Sequence, residues 1–391
     1  MRSLSPERQA LKVLAGEGNF HLYRLLNSGQ RVFVFAKCLL TTLNYFRGHG
    51  KPSQARNVSF VKGTNQLRYH EYARVQLELE FGAIELFASS SLANVTNSFL
   101  LPRIRVSELL QQLGFLALML LSGKKRYLNL YLLAFTAAIR RVVDSGFPRV
   151  ETFVCYNDQP YDVAAILFSL NDRNHCRTIV IQHGLILNEK FYFPSVAKEF
   201  WAWGNLSKKH YRAWSRLSQI VVKGRYSDDA ANKQDRFVLP PAGAKIRILV
   251  APSFFHEEVK QIVTALSLAL RNNPQDSEFI AIKFHPATKN LREIKAWCNK
   301  TIPWLAEETA PMEALAERYD VLITKNSTSA IDFLLRGKPV FFIDHLGNHE
   351  FPSKAYCFSV EQQGFILRER NLPTDAMNSA RKDFLKAAID V

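Results

Sequence analysis

From residue 150 onward, apolar positions switch regularly between two periods. Residues 152–156 (TFVCY) form a short run of β-branched and aromatic side chains, and 161–170 (YDVAAILFSL) carry apolar residues at helical spacing. A second apolar strand is predicted at 178–181 (TIVI), ending at Gln182-His183-Gly184, and another at 219–222 (QIVV) after a helical stretch. The same rhythm continues with strands at 246–250, 279–284, 321–324 and 340–343, separated by helices near 257–270, 290–298, 311–319 and 330–336. A short run at 301–305 and a closing helix over 373–391 complete the pattern. Strand and helix in strict alternation predict an α/β fold with doubly wound parallel sheets.

The first 150 residues carry a weaker pattern. It predicts a strand at 31–35, a helix at 38–46, strands within 76–87, and helices at 107–121 and 125–145. Pro240-Pro241-Ala242-Gly243 interrupts regular structure and reads as a linker, dividing the chain into domains 1–240 and 241–391. Pro311 suits a helix start and Gly337 a helix stop.

Composition narrows the function classes. Hydrophobic residues make up 47% of the 391 positions and charged residues 22%, as in ordinary globular chains. The five cysteines are scattered without CxxC spacing, which argues against a disulfide framework or a cysteine zinc site and for a reducing cytoplasm. The first twenty residues lack the apolar run of a secretory signal, and 113–121 is too short to cross a bilayer. The net charge of +16 is uneven: residues 1–150 hold 20 Lys+Arg against 8 Asp+Glu, while 151–391 hold 31 against 27. A basic first half is either a solvated surface without a specific partner or one that attracts an anion such as an acidic glycan, a phosphorylated lipid core or membrane headgroups. Lys124-Lys125-Arg126 and Arg140-Arg141 flank an apolar helical segment, which keeps peripheral contact with the inner face of the membrane open. No zinc-finger spacing or RNP-type motif supports nucleic acid.

Ligands of open parallel sheets bind beyond the carboxyl ends of the strands, so strand ends are the places to search. Ser327, Thr328 and Ser329 fall where a strand turns into a helix, where hydroxyls and backbone N–H groups suit a phosphate; a plain helix cap is the simpler alternative. Lys283 and His285 alternate along one strand and share a face, where they can hold a phosphate, and Pro286 stops the strand. His183 can serve as general base for an acceptor hydroxyl; Asp158, just past 152–156, is its rival. Glu307 and its neighbour Glu308 can accept from a ribose hydroxyl, a solvated acidic pair being the simpler alternative. No acidic pair of DxD type stands at a strand end, so neither a required metal nor another cofactor is expected.

Taken in order, Gln182-His183-Gly184, Ala202-Trp203-Gly204 and 221–228 (VVKGRYSD), then Lys283-Phe284-His285-Pro286 and 324–332 (TKNSTSAID), resemble bacterial surface-polysaccharide transferases. That group comprises capsule and lipopolysaccharide Kdo transferases, bacterial sialyltransferases and teichoic-acid glycerophosphotransferases, and the resemblance covers roughly residues 150–345. It implies two facing Rossmann-like domains of the GT-B type with a central cleft. It also implies a metal-independent glycosyltransferase with a CMP- or CDP-activated donor, such as CMP-Kdo or CMP-sialic acid. By resemblance His285 meets the donor phosphate or ribose, the Ser327–Ser329 cluster holds the phosphate, and His183 matches a histidine near the acceptor in the teichoic-acid enzymes. The paired acidic motif of the sialyltransferases has no counterpart here, Asn157-Asp158-Gln159 being a loose approach. Two other readings stay open: a nucleotide-sugar epimerase of the same architecture, and a non-catalytic basic docking protein with a degenerate transferase fold.

Overall fold

The computed structural model describes residues 54–61, 63–88, 114, 143–144, 147–157, 161–173, 175–184, 197–214, 219–225, 234, 236–238, 245–253, 255–272, 279–286, 288, 290–324, 327–342, 357–358 and 375–389. The chain divides into two compact units, Met1–Trp203 with Ser207–Ser227, and Gly204–Leu206 with Asp228–Val391. The sequence-predicted elements at 31–35 and 38–46, all of 107–121 but residue 114, most of 125–145, and the 240–243 linker lie outside the described residues.

In the first unit six strands form one parallel sheet: β1 (Asn57–Val61), β2 (Glu85–Ala88), β3 (Thr152–Cys155), β4 (Arg177–Ile181), β5 (Glu199–Ala202) and β6 (Gln219–Val222). Their spatial order is β2-β1-β3-β4-β5-β6. Helices α1 (Thr64–Phe81), α2 (Tyr161–Asn171) and α3 (Asn205–Trp214) belong to the crossovers. Both sheet faces are covered, which is why β3 and β4 read as continuous apolar runs instead of alternating ones. One face packs Val154, Tyr156, Ile179, Ile181 and Trp201 on Ala73 and Leu77 of α1. The other carries an aromatic row in which Phe60 stacks on Phe153 and Phe147 meets Phe153 edge-on.

The strands expected within 76–87 are corrected here. Val75, Leu77, Leu79 and Phe81 alternate with polar residues and imitate a strand, yet they end the eighteen-residue α1. In a strand Leu77 and Leu79 would share a face; in the helix Leu77 is fully buried and Leu79 is 77% exposed. Ala73 and Leu77, one turn apart, make the contact that matters, and Gln, Glu and Leu are strong helix formers. Gly82, at φ 78°, stops the helix, and only Glu85–Ala88 becomes strand.

A second six-stranded parallel sheet lies in the second unit: β7 (Ile248–Val250), β8 (Ile280–Ile282), β9 (Ala306–Glu307), β10 (Val321–Thr324), β11 (Val340–Phe342) and β12 (Cys357–Phe358). Its order is β12-β11-β10-β7-β8-β9. Helices α4 (His256–Asn272), α5 (Leu291–Thr301), α6 (Met312–Arg318), α7 (Ser329–Leu335) and α8 (Asp375–Ile389) accompany it. Val259, Ile262, Val263 and Leu266 of α4 and Ile294 and Cys298 of α5 bury against Ile248, Val250, Ile280 and Ile282. Helix α7 is buried on every side and ends before Gly337, whose φ of 66° excludes most side chains. A Cβ there would stand 2.2 Å from the Arg236 carbonyl oxygen. Helix α8 is fastened by Arg381, fully buried, which donates to the Leu334 carbonyl and, at 2.6 Å, to that of Gln234, and lies over the Phe237 ring. Among the described residues no helix is long and apolar enough to cross a membrane.

Candidate functional site

Beyond the carboxyl end of β4 the chain runs through Gln182, His183 and Gly184. Gln182 is 2% exposed, and its amide is a three-way brace. Its Nε2 donates to the Gly184 carbonyl at 2.7 Å and to the Ser207 hydroxyl at 2.8 Å, while its Oε1 accepts the Trp203 N–H at 2.7 Å. The turn holding His183 is thus tied to the segment after β5 and to α3. The His183 imidazole hydrogen-bonds the Tyr156 backbone beyond β3; burial lowers its pKa below the ordinary histidine value, with that hydrogen bond opposing the shift. The ring is therefore neutral near pH 7 and able to accept a proton. Nearby, Trp203 lies between the Tyr69 ring, at 5.9 Å, and the Arg225 guanidinium, at 5.3 Å. Asp158, the rival base, lies outside the described residues.

In the second unit the strand order reverses between β7 and β10, the topological switch point where α/β sheets take ligands. The diverging ends are joined by the buried Thr324 hydroxyl, which donates to the Ala251 carbonyl at 2.6 Å. Beyond β7 the Ser253 N–H and hydroxyl donate to the buried Glu258 carboxylate at 2.9 and 2.5 Å, fixing that loop against α4. Beyond β10 stand Ser327, Thr328 and Ser329. The Ser327 and Ser329 hydroxyls are hydrogen-bonded to each other, and Ser327 Oγ accepts the Ser329 N–H at 3.3 Å. Thr328 occupies the N-cap position of α7 without a side-chain capping bond.

One strand further, beyond β8, stand Lys283, His285 and Pro286. The strand ends at Ile282, one residue short of the predicted Lys283–His285 alternation. Lys283 Nζ donates to the carbonyls of Ala310, at 2.6 Å, and Thr309, at 3.3 Å, so it holds the loop after β9. The His285 imidazole is half-buried, and burial alone lowers its pKa; its carbonyl accepts the Thr288 N–H at 2.9 Å, closing a turn through the exposed Pro286. Glu307 is exposed on edge strand β9 and pairs with Lys295 at 2.6 Å. Three strand intervals separate it from β10, roughly 14 Å at ordinary sheet spacing. Its neighbour Glu308 instead accepts from the Tyr319 hydroxyl at 2.7 Å and from Arg318. The topology thus brings the Ser327–Ser329 cluster beside the β7 loop and His285 next to that loop, and leaves Glu307 at the margin. Among the described residues no group of three His, Cys, Asp or Glu could hold a metal ion.

No protein-family model matches the chain, and neither does any curated protein. Solved structures do. A Listeria monocytogenes protein taken to be a UDP-N-acetylglucosamine 2-epimerase is similar over 86% of this chain and 92% of its own, with 12% identity and a TM-score of 0.51. A glycosyltransferase from Rickettsia africae ESF-5 is similar over 88% and 94%, with 12% identity and a TM-score of 0.50. The wall teichoic acid polymerase TagF is similar over 93% and 94%, also with 12% identity and a TM-score of 0.50. The fold is of the GT-B type. Within that fold His183 follows β4, Lys283 and His285 follow β8 and the Ser327–Ser329 cluster follows β10, while Glu307 lies within β9.

Sequence reasoning missed one buried group between β1, α1 and the end of β3. Ser59 on β1, His70 on α1 and Tyr156 beyond β3 meet in a buried triangle: Ser59 Oγ to His70 Nδ1 is 2.9 Å, His70 Nδ1 to Tyr156 Oη 3.1 Å, and Ser59 Oγ to Tyr156 Oη 3.4 Å. Burial, with Arg74 adding repulsion, lowers the His70 pKa to about 4. No spacing links positions 59, 70 and 156; the only available signal was a serine inside the apolar run NVSFV.

Proposed function

We propose that the chain is a glycosyltransferase that moves a sugar from a cytidine-nucleotide donor, of the CMP or CDP type, onto an anionic cell-surface glycan or lipopolysaccharide acceptor. The observation that carries this reading is His183: a neutral imidazole, fixed to the backbone at a strand end of one Rossmann-like sheet, in a chain whose other sheet has hydroxyls at its switch point and His285 one strand further. Likeness in fold to a glycosyltransferase and to a teichoic acid polymerase supports it.

In this reading His183 takes the proton of the acceptor hydroxyl as its oxygen attacks the anomeric carbon. The bond from that carbon to the donor phosphate oxygen breaks, and the phosphate leaves with the electron pair. Ser327, Thr328, Ser329 and His285 meet the charge developing there, the kind of interaction that commonly dominates catalysis. Lys283 contributes its charge while holding the 309–310 loop, Pro286 fixes the turn bearing His285, and Glu307 accepts from the ribose at the margin. Asp158 is the alternative base. The surplus of basic residues in 1–150 suits an anionic acceptor, at the inner face of the cytoplasmic membrane. No metal takes part, so EDTA should leave turnover intact; loss restored only by Mg²⁺ or Mn²⁺ would overturn that part.

The direct test is thermal stabilisation by CMP, CDP, UMP, UDP and GDP, with His285→Ala alongside. Selective stabilisation by CMP or CDP, reduced about tenfold in apparent affinity by the substitution, is expected. Likeness to a protein named for a UDP-sugar epimerase favours one second reading. Isomerisation of a UDP-sugar with no acceptor present would select it.

A further inference from the structure

The mechanism above uses His183 but not the three polar groups buried behind it. Ser59 is 0% exposed, Tyr156 0% and His70 3%, in a core where aliphatic and aromatic side chains would pack as well. Burying a serine, an imidazole and a phenol costs stability unless their hydrogen bonds are mutually satisfied, and such clusters specify one arrangement more than they stabilise it. Here the triangle closes on itself. With His70 neutral, Nδ1 accepts from one hydroxyl and the second hydroxyl finds an oxygen within the triangle.

Its place in the topology gives the cluster a consequence. The first sheet reverses direction between β1 and β3, so Ser59 and Tyr156 flank its switch point. Register pairs Cys155 with Val180, which puts Tyr156 opposite Ile181, two residues before His183. The Tyr156 side chain goes inward to Ser59 and His70, and its backbone meets the His183 ring. The His70 and Tyr156 rings also meet edge-on at 6.3 Å. One residue is therefore anchored at its phenol end and holds the imidazole at its backbone end.

We propose that Tyr156 is a positioning residue for His183, with Ser59 and His70 locking its ring so that the imidazole keeps one tautomer and one direction. This rests on His183 being the base of the transfer reaction. An imidazole presenting the wrong nitrogen, or displaced by a fraction of an ångström, loses in-line contact with the acceptor hydroxyl while donor binding stays as it was.

The test uses the full chain labelled with ¹⁵N-histidine. In the wild type the His183 ring should show a single neutral tautomer without substrate. Tyr156→Phe should turn it into a mixture, lower kcat about tenfold, and leave the donor KM and nucleotide stabilisation within about twofold. His70→Asn, which keeps an acceptor near the Nδ1 position, should retain the single tautomer and most of kcat, whereas His70→Leu should reproduce Tyr156→Phe. An unchanged His183 spectrum in Tyr156→Phe overturns the proposal, as does a His70→Asn variant that behaves like His70→Leu. Should Tyr156→Phe not fold, Ser59→Ala supplies the same readouts with a milder shift in tautomer. Absence of transfer by the wild type from every nucleotide donor counts against the functional reading alone, since the tautomer spectra still decide the positioning.

Discussion

In the first unit the strand order places the switch between β1 and β3; in the second it falls between β7 and β10, and the two edges are furnished differently. In the first, Ser59, His70 and Tyr156 close a buried side-chain triangle, and Gln182 bonds one side chain, Ser207, and two backbone groups, of Gly184 and Trp203. In the second, Thr324 and Lys283 bond backbone carbonyls, of Ala251 and of Thr309 and Ala310, and the side chains pair locally, Ser253 with Glu258 and Ser327 with Ser329. A closed side-chain network holds the His70 imidazole between two hydroxyls. Bonds from side chain to backbone carbonyl fix the path of the loops after β7 and β9. Under the proposed function the first supplies the base and the second the phosphate site.

The comparison breaks most directly at His183. His183→Ala should lower kcat by a factor of about 10² to 10⁴ while nucleotide stabilisation persists. An equal loss of nucleotide binding would mean that the two edges do not divide the work in this way. Acid should separate them next. An unfolded histidine titrates near 6.5 and folded His70 at about 4, so between those values the unfolded chain holds the additional proton. The contribution of His70 is complete above pH 6.5 and fades as pH falls toward 4, amounting to about 3 kcal/mol. His183 and His285, also lowered, act with the same sign. Melting temperature against pH should therefore slope downward below 6.5, less steeply in His70→Asn; an unaltered slope in that variant would count against the triangle as its source. A smaller effect probes the second unit. Gly337→Ala forces a Cβ onto the Arg236 carbonyl at positive φ and should cost about 2 kcal/mol, read as a lower denaturant midpoint with nucleotide selectivity unchanged.

Much of this was legible in sequence where burial is symmetrical. Runs such as TFVC, RTIVI and VLIT are apolar because helices cover both faces of a parallel sheet, and they mark strands without reference to partners. Their ends then point to His183, His285 and the Ser/Thr cluster. Legibility failed where one period imitated another, as in the helical VQLELEF, and where strands were very short, as in Cys357–Phe358. Nor was the anchoring of Lys283 legible, since the two carbonyls that it meets come from a loop 26 and 27 residues away. The triangle of Ser59, His70 and Tyr156 was illegible because its members approach only through sheet order, with 86 residues between the histidine and the tyrosine.

The attachment of α8 has a kinetic side. Arg381 meets the Gln234 carbonyl across 147 residues of chain, and Asn378 receives the Phe237 N–H across 141. Closing so long a loop costs conformational entropy before any contact rewards it, so native bonds of this kind form late in folding. They then act on the escape rate more than on the approach. Substituting Arg381 with methionine should hasten unfolding while leaving the refolding limb of a chevron nearly in place, and a slowed refolding limb would instead put α8 in the nucleus.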